Sequence, residues 1–130
     1  MSIQVGQKGF VEIVVTENLT AQHAGSGTLE VFATPHMVAL MEQAAWTSIQ
    51  PFLEDGQGSV GIALSVSHDA ATPVGMRVWA ESVVTVVENR KVFFSVTAYD
   101  ESGVIGTGTH QRFIVDNKKF FNRCQKKRNG

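Results

Sequence analysis

Between Pro35 and Leu53 the chain carries one formally charged side chain, Glu42. A helix with a solvent face normally shows several charges there, so a helix this bare is expected to be enclosed nearly all round. The spacing predicts a helix: Met37, Leu40, Met41, Ala44, Ala45 and Phe52 recur in the three-and-four pattern of a core-facing stripe. Thr34-Pro35 reads as its start, since a threonine side chain can cap free N–H groups and proline at the first helical position has no N–H to leave unpaired. Pro51 should end or bend it, and Asp55-Gly56 closes the segment.

What wraps the helix is written in the other period. Gly9 to Val15 reads as a strand, and Glu17 to Gly27 as a polar connecting loop. After the helix, Ser59 to Ser67, Arg77 to Glu88, Val92 to Tyr99 and Val104 to Val115 are β-rich with alternating character. Turn signals part them at Thr72 to Gly75, Glu88 to Arg90 and Glu101 to Gly103. One strand, one long helix and four strands in a meander predict an α+β domain whose antiparallel sheet curls around the helix. At 130 residues a single core is the default. We expect residues 1–116 to form it and 117–130 to be a basic tail.

Composition narrows the setting. No apolar run approaches the roughly 20 residues of a membrane span, and the first residues lack the basic start and apolar run of a signal peptide. The lone Cys124 cannot form an intrachain disulfide. A cytoplasmic protein is the expectation. The net charge of −1 conceals an uneven distribution, because Lys118, Lys119, Arg123, Lys126, Lys127 and Arg128 all fall in the tail. An acidic body suits neither nucleic acid nor an anionic membrane surface. The tail is either solvated or meets a phosphorylated small molecule.

Three places could carry chemistry. Glu42 falls beside Val38 and Ile49 on the flank of the apolar stripe, where a desolvated carboxylate would serve as a base or nucleophile, or where a glutamate at the helix edge simply reaches water. His68 closes an apolar strand just before a turn, a position open to acid–base work as well as to a surface histidine. On the last strand Gly106, Gly108, His110, Arg112 and Ile114 alternate onto one face. Glycines there imply close approach by a ligand or by the helix, and arginine suits phosphate or carboxylate. His36 and His23 carry less signal. No metal-ligand spacing, phosphate-binding glycine loop or nucleophile elbow is present, so no cofactor or metal is expected.

At these residues the sequence resembles the hotdog-fold thioesterases related to fluoroacetyl-CoA thioesterase. The resemblance runs nearly to Asp116 and is most specific at FAT (Phe32 to Thr34), LMEQA around Glu42, SHDAATP around His68 and GTGTHQR ending at Arg112. It implies a hotdog fold, a homodimer with sites between subunits, and hydrolysis of a short-chain acyl-CoA thioester. It also implies a catalytic set falling on Thr34, Glu42 and His68, with Gly61 and Arg112 binding substrate. One departure stands out. The fluoroacetyl specialist places aromatic lid residues before the helix, whereas Glu17 to Val31 contains no Phe, Tyr or Trp here. Only the reaction class is carried over.

Thioester hydrolysis needs an activated nucleophile and an oxyanion site, but little help for a thiol leaving group of pKa near 8.5. Glu42 or His68 would activate water or the Thr34 hydroxyl. The amides of His36, Met37 and Gly61 are the oxyanion candidates. A non-catalytic acyl-CoA-binding module and a hotdog hydratase are the alternatives, which thiol release from acyl-CoA would separate from hydrolysis.

Overall fold

The computed structural model describes residues 2–130. Strand β1 (Lys8–Val14) leads through a 3₁₀ turn and the short helix α1 (Ala21–Ala24) into the long helix α2 (Thr34–Ile49). Strands β2 (Gln57–His68), β3 (Arg77–Glu88), β4 (Lys91–Asp100) and β5 (Gly103–Asp116) follow, and helix α3 (Asn117–Gln125) ends the fold. All pairings are antiparallel, in the order β1-β3-β4-β5-β2.

The predicted meander holds for β3, β4 and β5 only. Strand β2 does not pair with β3; the connection Asp69–Met76 carries the chain across, so that β2 is an edge beside β5. Neighbours in sequence pair in space only about two-thirds of the time, and here the long connection lets them separate.

Helix α2 buries Met37, Leu40, Met41, Ala44, Ala45 and Ile49 against Val78, Ala80, Val84, Phe94, Val96 and Ala98 of the sheet. Each large side chain so enclosed contributes about 1.5–3 kcal/mol. The closest approach is at Gly9, where a Cβ would run into the Ala44 carbonyl and sit 2.5 Å from Ser82 Oγ. Only glycine lets the helix backbone rest on β1 there. At Gly106 a Cβ would lie 2.5 Å from the Ser67 carbonyl oxygen of β2 and 2.8 Å from Met37 Sδ. Close approach of both the neighbouring strand and the helix accounts for this glycine of β5.

Three expectations are corrected. First, α2 is not enclosed all round: Ala39, Gln43 and Trp46, spaced four and three apart, form an exposed and uncharged stripe. Second, Thr34 is not the cap. Ala33 is extended at the N-cap position, and its carbonyl accepts from the amides of His36 and Met37, each at 3.0 Å. Third, the loop before α2 contains α1, and the tail begins as a helix capped by Asp116, whose carboxylate accepts from the Lys119 amide at 3.0 Å. Phe120 and Phe121 of α3 are exposed.

Candidate active site

With its capping role gone, the Thr34 side chain reaches the end of β2, where Oγ1 lies 2.8 Å from His68 Nδ1. The hydroxyl donates when His68 carries its proton on Nε2. That second nitrogen is buried and, among the described residues, has no hydrogen-bond partner. The pair borders an open hollow of about 240 Å³ whose wall includes Ala21, Val31, Phe32, Ala70 and Ala71. Because His68 ends a strand and Thr34 begins a helix, both side chains stand where regular structure leaves space for a ligand.

A second cluster lies further along both elements. Glu42 Oε2 is 3.6 Å from Arg112 Nη1, and a Cβ on Gly61 would come within 2.8 Å of that carboxylate oxygen. The Glu42 side chain is 38% exposed, so one protomer does not supply the enclosure expected for it; its partner is a guanidinium. Arg112 is fixed from behind: Nε donates to Ser59 Oγ at 2.8 Å, Nη2 to the Ser59 carbonyl at 2.9 Å, and Nη1 contacts His110 Nε2 at 3.1 Å. Burial lowers the Arg112 pKa from its ordinary value, and Glu42 opposes that shift. Between Gly61 and Ala63 the register of β2 against β5 slips, leaving Ile62 as a bulge. A bulge re-aims the strand around it, and here it returns Gly61 to the face that carries Glu42.

The five candidate residues thus fall into two groups: Thr34 with His68, and Glu42 with Gly61 and Arg112. Glu42 lies eight residues beyond Thr34, about 12 Å along the helix axis. Gly61 precedes His68 by seven residues, on the order of 20 Å of strand. Within the chain the two groups are therefore too far apart to meet at one small reacting group. Of the oxyanion candidates, the His36 and Met37 amides are consumed by the Ala33 carbonyl, while Gly61 stands opposite Arg112 on β5 beside the bulge. Sequence reasoning left His110 and Ser59 without a role in holding Arg112. The alternation that sets His110 on Arg112's face was visible, but the backbone contacts were not. Among the described residues no three His, Cys, Asp or Glu side chains converge as a metal site would require.

Comparison with known proteins bears on the family and the fold. The model of the fluoroacetyl-CoA-specific thioesterase family matches residues 15–118. The chain is 37% identical to the fluoroacetyl-CoA thioesterase of Streptantibioticus cattleyicolor over 96% of its own length and 94% of that protein's. A crystal structure of a fluoroacetyl-CoA thioesterase superposes with a TM-score of 0.93 at 36% identity, covering 98% of each chain. A hot-dog-like protein from Thermanaerovibrio acidaminovorans gives a TM-score of 0.85 at 25% identity over 95% of this chain and 91% of its own. The chain belongs to the fluoroacetyl-CoA-specific thioesterase family and is an acyl-CoA thioesterase of the hotdog fold.

Proposed function

We propose that this thioesterase acts on short acyl-CoA thioesters as a cytoplasmic homodimer, each site combining Thr34 and His68 of one protomer with Glu42, Gly61 and Arg112 of the other. The observation that carries the reading is the Thr34–His68 contact at 2.8 Å beside a small hollow, with His68 Nε2 unpartnered among the described residues. His68 takes the proton of the Thr34 hydroxyl, or of a water that Thr34 holds, as the nucleophile meets the carbonyl carbon. Charge developing on the carbonyl oxygen is met by the Gly61 amide and the nearby Arg112. The partner's Glu42 lies on the side of the site facing His68, and its charge offsets that of the imidazolium, whose Nε2 stays buried in its own protomer. CoA leaves as thiolate, and no acid is needed to expel it.

Dimerisation through β2 is supported by its edge. From Gly61 to Ser65 every residue is exposed, Ile62 to 47% and Leu64 to 37%, and Gln57 to Ser67 contains no formal charge. Edge strands normally protect themselves with charge, and β1, the other edge, carries Lys8 and Glu12. The uncharged, exposed stripe of Ala39, Gln43 and Trp46 on α2 offers a second surface for contact.

The register follows from the site. Paired residues of antiparallel strands share a face, so a two-fold axis normal to the sheet passes through a residue rather than between two. An axis at Ser65 pairs Leu64 with the partner's Val66 and Ala63 with the partner's Ser67. With Ile62 bulged out, Gly61 then faces the partner's His68. The two half-sites meet.

The alanines lining the hollow and the absence of aromatic residues from Glu17 to Val31 favour a small acyl group without a requirement for fluorine. The lone exposed Cys124 favours a reducing compartment. Thiol release from a graded panel of acyl-CoA thioesters, measured with the mass of the protein in solution, tests the reading. Turnover should be greatest for short acyl chains and belong to the dimer. Equal turnover by a demonstrated monomer would sink the shared site, and a preference for long chains would sink the substrate class.

A further inference from the structure

We propose that His110 is a positioning residue of this enzyme, holding Arg112 and the β2 bulge at Gly61 through one fixed tautomer of its ring. This rests on the reading of Glu42, Gly61 and Arg112 as half of the site. His110 is 2% exposed and does not reach the hollow beside Thr34. Its Nδ1 lies 2.9 Å from the Ala63 carbonyl. A carbonyl only accepts, so Nδ1 carries the proton. In the neutral ring Nε2 is then bare, and it accepts from Arg112 Nη1 at 3.1 Å. Both ring nitrogens are spoken for, and each partner belongs to the site. Ala63 is the first residue after the bulge, so its carbonyl anchors the turn of strand that presents Gly61. Arg112 Nη1 is the atom nearest Glu42, at 3.6 Å.

The surroundings favour this one state. His110 faces Glu42 from α2, the Gly61 to Ala63 backbone from β2, the Phe94 ring from β4 at a centroid distance of 6.0 Å, and Arg112 on its own strand. Desolvation holds its pKa below the ordinary imidazole value. The Arg112 charge acts in the same direction, while the Ala63 carbonyl and Glu42 oppose both. A second proton on Nε2 would point at a guanidinium N–H. A contact worth little in stability can still matter here, because displacement of a reacting group by about 1 Å costs up to about a hundredfold in rate.

The two nitrogens are tested separately. In His110→Asn the side-chain amide can still donate to the Ala63 carbonyl but no longer reaches Arg112. In His110→Gln the longer side chain returns an oxygen to Arg112. We expect His110→Asn to lose kcat by about tenfold or more with KM within about twofold, and His110→Gln to recover a clear part of that loss. Ring nitrogen NMR of the wild-type dimer should show one histidine held as the Nδ1–H tautomer, refusing a proton across the ordinary imidazole range, with its signal absent from both variants. An Nε2–H tautomer, ordinary titration, or full kcat in His110→Asn would overturn the proposal. If the variants do not fold, the wild-type ring signals decide alone. A Glu42→Gln control separates the two ideas: full activity there removes the site reading, while the fixed tautomer still stands or falls on the spectrum.

Discussion

Glu42 lies 3.6 Å from the Arg112 guanidinium and about two helical turns from Thr34, and the proposed shared site rests on that separation. Glu42→Gln keeps the shape and removes the charge, and the side chain is half-exposed in the protomer, so folding should survive. Thiol release should fall by about 10²–10⁴, the range of a positioned acid–base group; a variant retaining a tenth of the rate would remove Glu42 from the mechanism. Gly61→Ala adds a methyl group 2.8 Å from Glu42 Oε2 and 3.2 Å from His110 Cε1. It should lower kcat at least tenfold with little change in thermal midpoint, as the carboxylate gives way before the sheet does. His110 adds a pH term to stability. Above about pH 6.5 both folded and unfolded states hold a neutral ring. Below it the unfolded chain takes up a proton that the folded ring refuses, because the folded pKa is depressed, so stability falls as pH drops toward that lower pKa. Denaturant midpoints of His110→Gln should decline less between pH 6.5 and 5 than those of the wild type. Glu42 was legible because one charge in an uncharged helix is conspicuous. The fixing of Arg112 by Ser59 was not, since a contact between residues 53 positions apart follows only once the register of β2 on β5 is known, although alternation along β5 already set His110 on the face of Arg112.

At the scale of elements, α2 and the β-rich segments were readable from period alone, with strand ends falling within a few residues of those observed. The bulge at Ile62 and the move of β2 to the far edge were not. Gly61-Ile62-Ala63-Leu64 reads as an ordinary alternating strand, and no local signal states which neighbour a strand chooses. The start of α2 was legible as to place, but Thr34 spends its side chain on His68 and not on the helix. Without the bulge, Gly61 would face away from Glu42 and the half-sites could not meet. The proposed dimer and its register are open to a direct test. In a Cys124→Ser background, Ser65→Cys places two thiols across a two-fold axis at a Cα separation of about 4.5–5.5 Å, inside the range of a disulfide. Mild oxidation should crosslink it quantitatively while Ser67→Cys stays largely monomeric on a denaturing gel. Crosslinking by Ser67→Cys with none by Ser65→Cys would place the axis elsewhere.

At the scale of the molecule, charge is the remaining asymmetry: a body with five basic and twelve acidic residues, and a tail with six basic residues and no acidic one. Packing of the early tail through Phe120 and Phe121 is not what holds it, for they are 46% and 60% exposed and no residue of α3 is buried. What α3 has is a location. It leaves β5 at Asp116, opposite Gln57, and Asn117 lies against Gly58. Under the proposed Ser65 axis, the Gly58 end of β2 runs toward the His68 end of the partner's β2, beyond which Ala71 lines the hollow beside Thr34. In the proposed dimer the basic helix of one protomer lies toward the other's site, so the hypothesis to test is that it meets the phosphates of a CoA whose acyl end enters the hollow. Truncation after Asp116 should therefore raise KM for acyl-CoA several-fold at low salt, with kcat and thermal midpoint little changed. The difference should vanish at high salt, because exposed charge contacts are screened beyond about 10 Å at 0.1 M and within about 3 Å at 1 M. Truncation after Arg123 keeps Lys118, Lys119 and Arg123 and should show a smaller effect of the same sign. A KM that ignores both the deletion and the salt would leave the tail solvated and the CoA phosphates held elsewhere.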